Sequence, residues 1–100
     1  MLAITSAQRH PLLPGSPTFV ESGVKDFVSF QWYGMLGPAG LPKNVTAVLN
    51  NSINKALAAS DVKAKLAVQG AEPLGSTPAE YGAYIKSEIE RWDKAVKATG

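Results

Sequence analysis

Apolar positions along this chain follow two different periods. In the second half, Val45, Val48, Leu49, Ile53, Ala56 and Leu57 recur at three- and four-residue spacings. That spacing lines one face of a helix and predicts it from about Pro42 to Ala59. Pro42 suits the first helical position, where a missing N–H has no partner to lose. Leu41 then falls at the N-cap, and it offers the free amides no side-chain oxygen. Tyr81, Ile85, Ile89, Trp92 and Val96 repeat the helical spacing behind Thr77-Pro78-Ala79-Glu80, a capping box with proline at the first position. Between these two, Ser60 begins a shorter helix with Asp61 in its first turn, where the macrodipole favours a negative charge. Val62 and Leu66 give it a narrow apolar edge, and Gly70 suits the C′ position. Glu90–Lys94 and Asp93–Lys97 are favourable four-residue charge pairs on the wet face of the last helix.

The first half reads differently. Leu2 to Ile4 predicts a short buried strand. Pro11, Pro14 and Pro17 then exclude a helix and predict an irregular connection, because proline removes a backbone donor and fixes φ. Thr18 to Gly23 predicts a single helical turn stopped by the glycine. Val28, Phe30 and Trp32 alternate within an aromatic and β-branched run, so Phe27 to Leu36 predicts a strand. Pro38 to Pro42 ends it. Ala71 to Gly75 has the makings of an edge strand at best, since Pro73 cannot donate to a ladder.

Composition narrows the chemistry more than it suggests any. The chain has 100 residues, enough for one domain, and 45% of them are apolar, which argues against a disordered chain. It has no Cys and one His, which removes disulfide scaffolds, thiolate zinc sites, cysteine nucleophiles and multi-histidine metal sites. The net charge of +2 is mild, and the lysines are scattered among acids without forming a stripe, which argues against nucleic acid. The start lacks a basic n-region and a long apolar h-region, so it does not read as a signal peptide.

No catalytic constellation stands out. His10 sits between Arg9 and Pro11 with neither a nucleophile nor an orienting carboxylate near it in sequence, and reads as a solvated loop residue. Glu80, Glu88, Glu90 and Asp93 are interspersed with Lys and Arg91 and read as a solvated helix face. Asn44-Val45-Thr46 and Asn50-Asn51-Ser52 match the glycosylation pattern by chance, on a helix. Gly40 and Lys43 at the start of the Pro42 helix offer free amides and a cation to an anion, although an ordinary loop-to-helix entry is the better account of them. The pair Trp32-Tyr33 suits either a core or the lining of a pocket.

An ordered set of short pieces carries a resemblance. It comprises Leu2-Ala3-Ile4-Thr5-Ser6-Ala7-Gln8-Arg9, Pro17-Thr18-Phe19-Val20-Glu21-Ser22-Gly23, Trp32-Tyr33-Gly34, Pro38-Ala39-Gly40-Leu41-Pro42, Gln69-Gly70, Ser76-Thr77-Pro78-Ala79-Glu80-Tyr81 and Glu88-Ile89-Glu90-Arg91-Trp92. In this order and spacing the chain resembles the C-terminal portion of the tripartite tricarboxylate transporter receptors, the Bug family of extracytoplasmic solute-binding proteins. One departure is Leu41, where the family usually offers Thr before the proline.

The resemblance implies an α/β fold, the C-terminal part of a two-lobed periplasmic-binding-protein-like architecture with few strands and three helices. Residues 1–23 would supply a second-lobe strand and the proline-rich connection, and residues 24–100 the crossover strand and the helical part of the first lobe, together in one compact unit. It implies a periplasmic receptor that captures small organic acids for membrane transporter subunits, with no catalysis, cofactor, metal or nucleic acid. Ser6, Trp32 and Tyr33 are the candidate ligand-binding residues. The alternative is a stand-alone module that oligomerises and binds no solute. The apolar stripes of the two longer helices further predict a homodimer that exchanges the Phe27 to Leu36 region.

Overall fold

The computed structural model describes residues 2–100; Met1, where the reading of the chain start begins, lies outside them. The chain divides into two units, Met1–Gly37 and Pro38–Gly100.

Single backbone bonds, rather than a sheet, organise the first unit. Ile4 makes an isolated parallel bridge with Thr18. Its N–H donates to the Pro17 carbonyl at 2.9 Å, and its carbonyl accepts from the Phe19 N–H at 2.9 Å. The buried strand expected over Leu2 to Ile4 is thus reduced to one residue, and Leu2 is 95% exposed. Pro17 lacks the N–H that would carry the ladder on. The proline-rich run turns as expected, with Leu13 N–H on the His10 carbonyl and Ser16 N–H on the Leu13 carbonyl.

Thr18 to Gly23 forms the expected turn, and it is capped at both ends. Ser22 N–H donates to the Thr18 carbonyl at 3.0 Å. At the far end Val24 N–H reaches the Phe19 carbonyl and Gly23 N–H the Val20 carbonyl, with Gly23 at φ +93°. This is a Schellman closure, which needs a left-handed residue at that point. At the near end Glu21 N–H donates to Thr18 Oγ1 at 3.1 Å and Thr18 N–H donates to Glu21 Oε2 at 2.8 Å. This second capping box is missing from the sequence expectations, although its Thr-x-x-Glu signature is the same as that of Thr77 and Glu80. Arg9 Nε bonds both Glu21 carboxylate oxygens at 3.1 Å.

The strand expected over residues 27–36 does not form: no ladder runs through it among the described residues. Ser29 N–H donates to the Thr5 carbonyl at 2.9 Å, and no pairing continues from it. A strand draws its hydrogen bonds from a neighbour, and this unit offers a single bridging residue. The two-residue period persists locally, since Gln31 Nε2 donates to the Tyr33 hydroxyl at 2.8 Å.

In the second unit the three helices appear in the expected order: α1 (Lys43–Ala58), α2 (Ser60–Val68) and α3 (Pro78–Thr99). Pro42, at φ −57° and ψ 140°, is itself the N-cap of α1, and its carbonyl accepts from the Thr46 N–H. The proline therefore stands one place before the position expected, and Leu41 lies outside the cap. One extended residue, Ala59, separates α1 from α2 and serves as the N-cap of α2, so Ser60 is already helical. Gly70, at φ +70°, closes α2 with the same Schellman pair as Gly23: Ala71 N–H on the Leu66 carbonyl and Gly70 N–H on the Ala67 carbonyl.

The edge strand expected over Ala71 to Gly75 is also absent. Two asparagines of α1 hold the end of this connection instead. Asn50 Nδ2 and Asn54 Nδ2 both donate to the Ser76 carbonyl, at 2.9 and 3.1 Å. α3 then starts with the expected capping box, Glu80 N–H on Thr77 Oγ1 and Thr77 N–H on Glu80 Oε2 at 2.7 Å. Asp93 and Lys97 pair at 2.7 Å, whereas Glu90–Lys94 is not among the ion pairs of the described residues. Every residue of α3 beyond Glu88 is exposed.

Among the described residues no apolar side chain is fully buried. The apolar positions of α1 and α3 lie where the periodicity puts them, yet Val48 and Val96 are each 65% exposed and Ile89 is 64% exposed.

Candidate functional site

The three sequence candidates all fall in the first unit. Ser6 is half-buried, and its hydroxyl donates to the Gln8 carbonyl at 2.6 Å. The preceding residue, Thr5, accepts from Ser29, which holds the Ser6 segment beside the start of the aromatic run. Trp32 is 37% exposed and Tyr33 81% exposed. The Tyr33 oxygen accepts from Gln31, which leaves its O–H proton to donate. That phenol O–H is a neutral donor suited to a carboxylate acceptor, whereas the Ser6 proton is already given to Gln8.

The second unit holds an open cavity of about 330 Å³, lined by Lys43, Thr46, Ala47, Asn50, Asn51 and Pro78. Positions 43, 46, 47 and 50 share one face of α1 at its first two turns, and Pro78 begins α3. Thr46 Oγ1 is turned back to the Pro42 carbonyl at 3.3 Å, and Asn50 is engaged with Ser76. The ammonium of Lys43 and the amide of Asn51 are the polar groups left to a ligand there. The sequence pointed to this helix start through Gly40 and Lys43, and Gly40 has the φ of +81° that favours glycine. Thr46, Asn50, Asn51 and Pro78 were not foreseen. The first two were open to the same helical spacing used for the apolar stripe.

The piece Glu88-Ile89-Glu90-Arg91-Trp92 becomes a network along one helix face. Glu88 is buried and accepts from Arg91 at 3.1 Å and from the Trp92 indole at 3.3 Å. The Arg91 guanidinium lies over the Trp92 ring, 5.4 Å from its centroid. Desolvation, and after it the Glu88 charge, pushes the Tyr84 phenol above its ordinary value. Each member finds its partner within one turn, so the cluster stiffens α3. His10 Nδ1 accepts from the Leu12 N–H at 3.2 Å, as a turn residue does. No cluster of three or more His, Asp or Glu suited to a metal occurs among the described residues.

The sequence profile of a family described as "Tripartite tricarboxylate transporter family receptor" matches residues 1–100. Protein BugT of Bordetella pertussis is 37% identical over 99 residues, covering 99% of this chain and 30% of that protein. A "UPF0065 protein in tcbD-tcbE intergenic region" from a Pseudomonas species is 42% identical over 96 residues, covering 95% of this chain and 29% of that protein. A similarly named protein, from the clcB-clcD intergenic region of Pseudomonas knackmussii, is 32% identical over 96 residues and is covered to 57%. The chain thus spans about 30% of the length of the first two relatives.

Proposed function

The chain belongs to the tripartite tricarboxylate transporter receptor family, and from that premise we propose that it serves in the capture of a small organic acid. The family is one of transport receptors. In this reading the chain acts in the periplasm, hands its solute to membrane transporter subunits and carries out no catalysis. Its residues correspond to the C-terminal part of a two-lobed binding protein. Ser6, Trp32 and Tyr33 are the residues this reading assigns to the solute. The observation that supports the reading most is the family match across all 100 residues.

The test is a titration with four- to six-carbon dicarboxylates and with citrate, followed by tryptophan emission and melting temperature. A ligand at a hundred times its Kd stabilises the folded form by about 2.7 kcal/mol. We expect the emission change to vanish in Trp32→Phe and to survive in Trp92→Phe. No response to any of these acids would remove the solute-binding reading for this chain.

A second reading, self-association, is favoured by a separate observation: Val45, Val48 and Leu49 of α1 and Ile89, Trp92 and Val96 of α3 are exposed. Each large apolar side chain taken out of water is worth roughly 1.5–3 kcal/mol, so a partner that covers even part of these faces is stabilised. Sedimentation equilibrium at micromolar concentration tests it, and a monomeric mass would end it.

A further inference from the structure

We propose that Gln31 is a specificity-determining residue: by donating to the Tyr33 oxygen it fixes that hydroxyl as a donor, so the position takes a carboxylate and turns away a ligand group that itself donates. The proposal rests on the organic-acid reading above and says how one of its residues tells an acid from its amide. Two observations carry it. Gln31 Nε2 donates to the Tyr33 hydroxyl at 2.8 Å; residues two apart on an extended run share a side, which is why they meet. The phenol proton is given to no acceptor among the described residues. By contrast, the Ser6 hydroxyl already donates to Gln8.

A phenol can serve a ligand either way round, through its proton or through its oxygen. An amide N–H held on the oxygen occupies the accepting side and leaves the proton to the ligand. It also polarises the O–H, because hydrogen bonds in a chain strengthen one another. The acceptor that gains most from such a donor is an anionic oxygen. No charged residue lies from Phe27 to Pro42, so this run offers an anion an oriented neutral dipole and no counter-ion. Preference at that point therefore turns on which way the hydroxyl is set. Gln31 is exposed and Tyr33 is 81% exposed, so neither side chain is needed for packing. The three helices belong to the other unit, and their circular dichroism serves as the folding control.

Gln31→Glu inverts the arrangement. Its carboxylate has no proton to give at neutral pH, so it takes the phenol proton and leaves an acceptor facing the ligand. Calorimetric titration uses whichever of succinate, adipate and citrate the parent binds best, and the neutral amide of that acid. The parent should favour the acid. Gln31→Glu should weaken the acid at least about tenfold, and Gln31→Leu, which frees the hydroxyl, about fivefold, the worth of one net hydrogen bond. The added charge alone would repel the acid, so the amide is the discriminating arm: it should bind Gln31→Glu more tightly than it binds the parent. In a Tyr33→Phe background Gln31→Leu should change nothing, a dependence that a merely structural role for Gln31 would not produce. If Gln31→Leu leaves the acid unmoved, or weakens it equally with and without the Tyr33 hydroxyl, the proposal falls and the organic-acid reading stands. The same follows if the amide does not respond to Gln31→Glu. A parent that binds none of the three acids overturns both.

Discussion

Thr18 and Glu21 each satisfy the other's backbone amide, at 3.1 and 2.8 Å, and so fix the start of a single helical turn whose end is fixed by Gly23. Thr18 is 1% exposed, so its hydroxyl has no water to fall back on. We expect Thr18→Ala to cost about 1 kcal/mol through loss of the cap, and Thr18→Ser to recover most of it. Urea titration followed by Trp32 emission, in a Trp92→Phe background, reads the first unit.

Acid should loosen both capped elements. The Thr18 backbone amide, and then Arg9, hold the Glu21 carboxyl below its ordinary 4.5. The Thr77 backbone amide, with the Thr77 hydroxyl, does the same for Glu80. A carboxyl depressed in the folded state contributes stability above its unfolded pKa and loses it as pH falls through the folded value. Stability should therefore hold above about pH 4.5 and decline below it. Replacing both residues, Glu21→Gln with Glu80→Gln, should flatten that decline. An unchanged acid limb in the double variant would show that other groups set it.

The two long helices differ at their starts, and substitutions there should differ in sign. Thr77→Ala removes the acceptor for Glu80 and should cost about 1 kcal/mol. Pro42 caps α1 with no side-chain hydrogen bond, so Pro42→Asp should stabilise by about 0.5–1 kcal/mol. Leu41→Thr places its hydroxyl one residue too early and should gain nothing. Melting curves by circular dichroism at 222 nm separate the three.

Gly75 is required by its neighbour. A Cβ there would stand 2.8 Å from Asn54 Oδ1, while Asn54 is held by bonds to the Ser76 carbonyl and the Asn50 side chain. Gly75→Ala should displace Asn54 and cost about 1 kcal/mol, the usual worth of a hydrogen bond. In an Asn54→Ala background the same change should cost much less, and a double-mutant cycle by urea denaturation measures the coupling. Strict additivity would mean that the asparagine yields without loss.

Helices were legible in this sequence because their signals are local. The spacing from Val45 to Leu57, the Thr77–Glu80 box and Gly70 each act within a turn or two, and the structure places each element within about a residue of the expectation. Thr18–Glu21 was legible by the same rule: the turn from Thr18 to Gly23 was expected from its glycine stop, and its capping box was passed over. The strands were not legible in the same sense. The alternation of Val28, Phe30 and Trp32 states a preference, and a ladder also needs a second strand that no local pattern supplies. Ser6, Trp32 and Tyr33 stand apart from both cases. Nothing local to Ser6 marks it for a ligand, and the Trp32-Tyr33 pair suits a core as well as a pocket, because contacts between distant segments leave no period or cap to read. The grip of Asn50 and Asn54 on Ser76 went unseen for that reason too.

That grip on Ser76 makes α3 a cantilever. The helix is fixed at its root, by the two asparagines and the Thr77 box, and carries the Glu88 cluster midway. Its last three turns project beyond any side chain that covers them. Hydrogen exchange should accordingly read as a gradient along a single helix: slow amides from Tyr81 to Glu88, then rates that rise steadily toward Thr99. Whatever comes to rest on Ile89, Trp92 and Val96 would announce itself by flattening that gradient, with no change at the root.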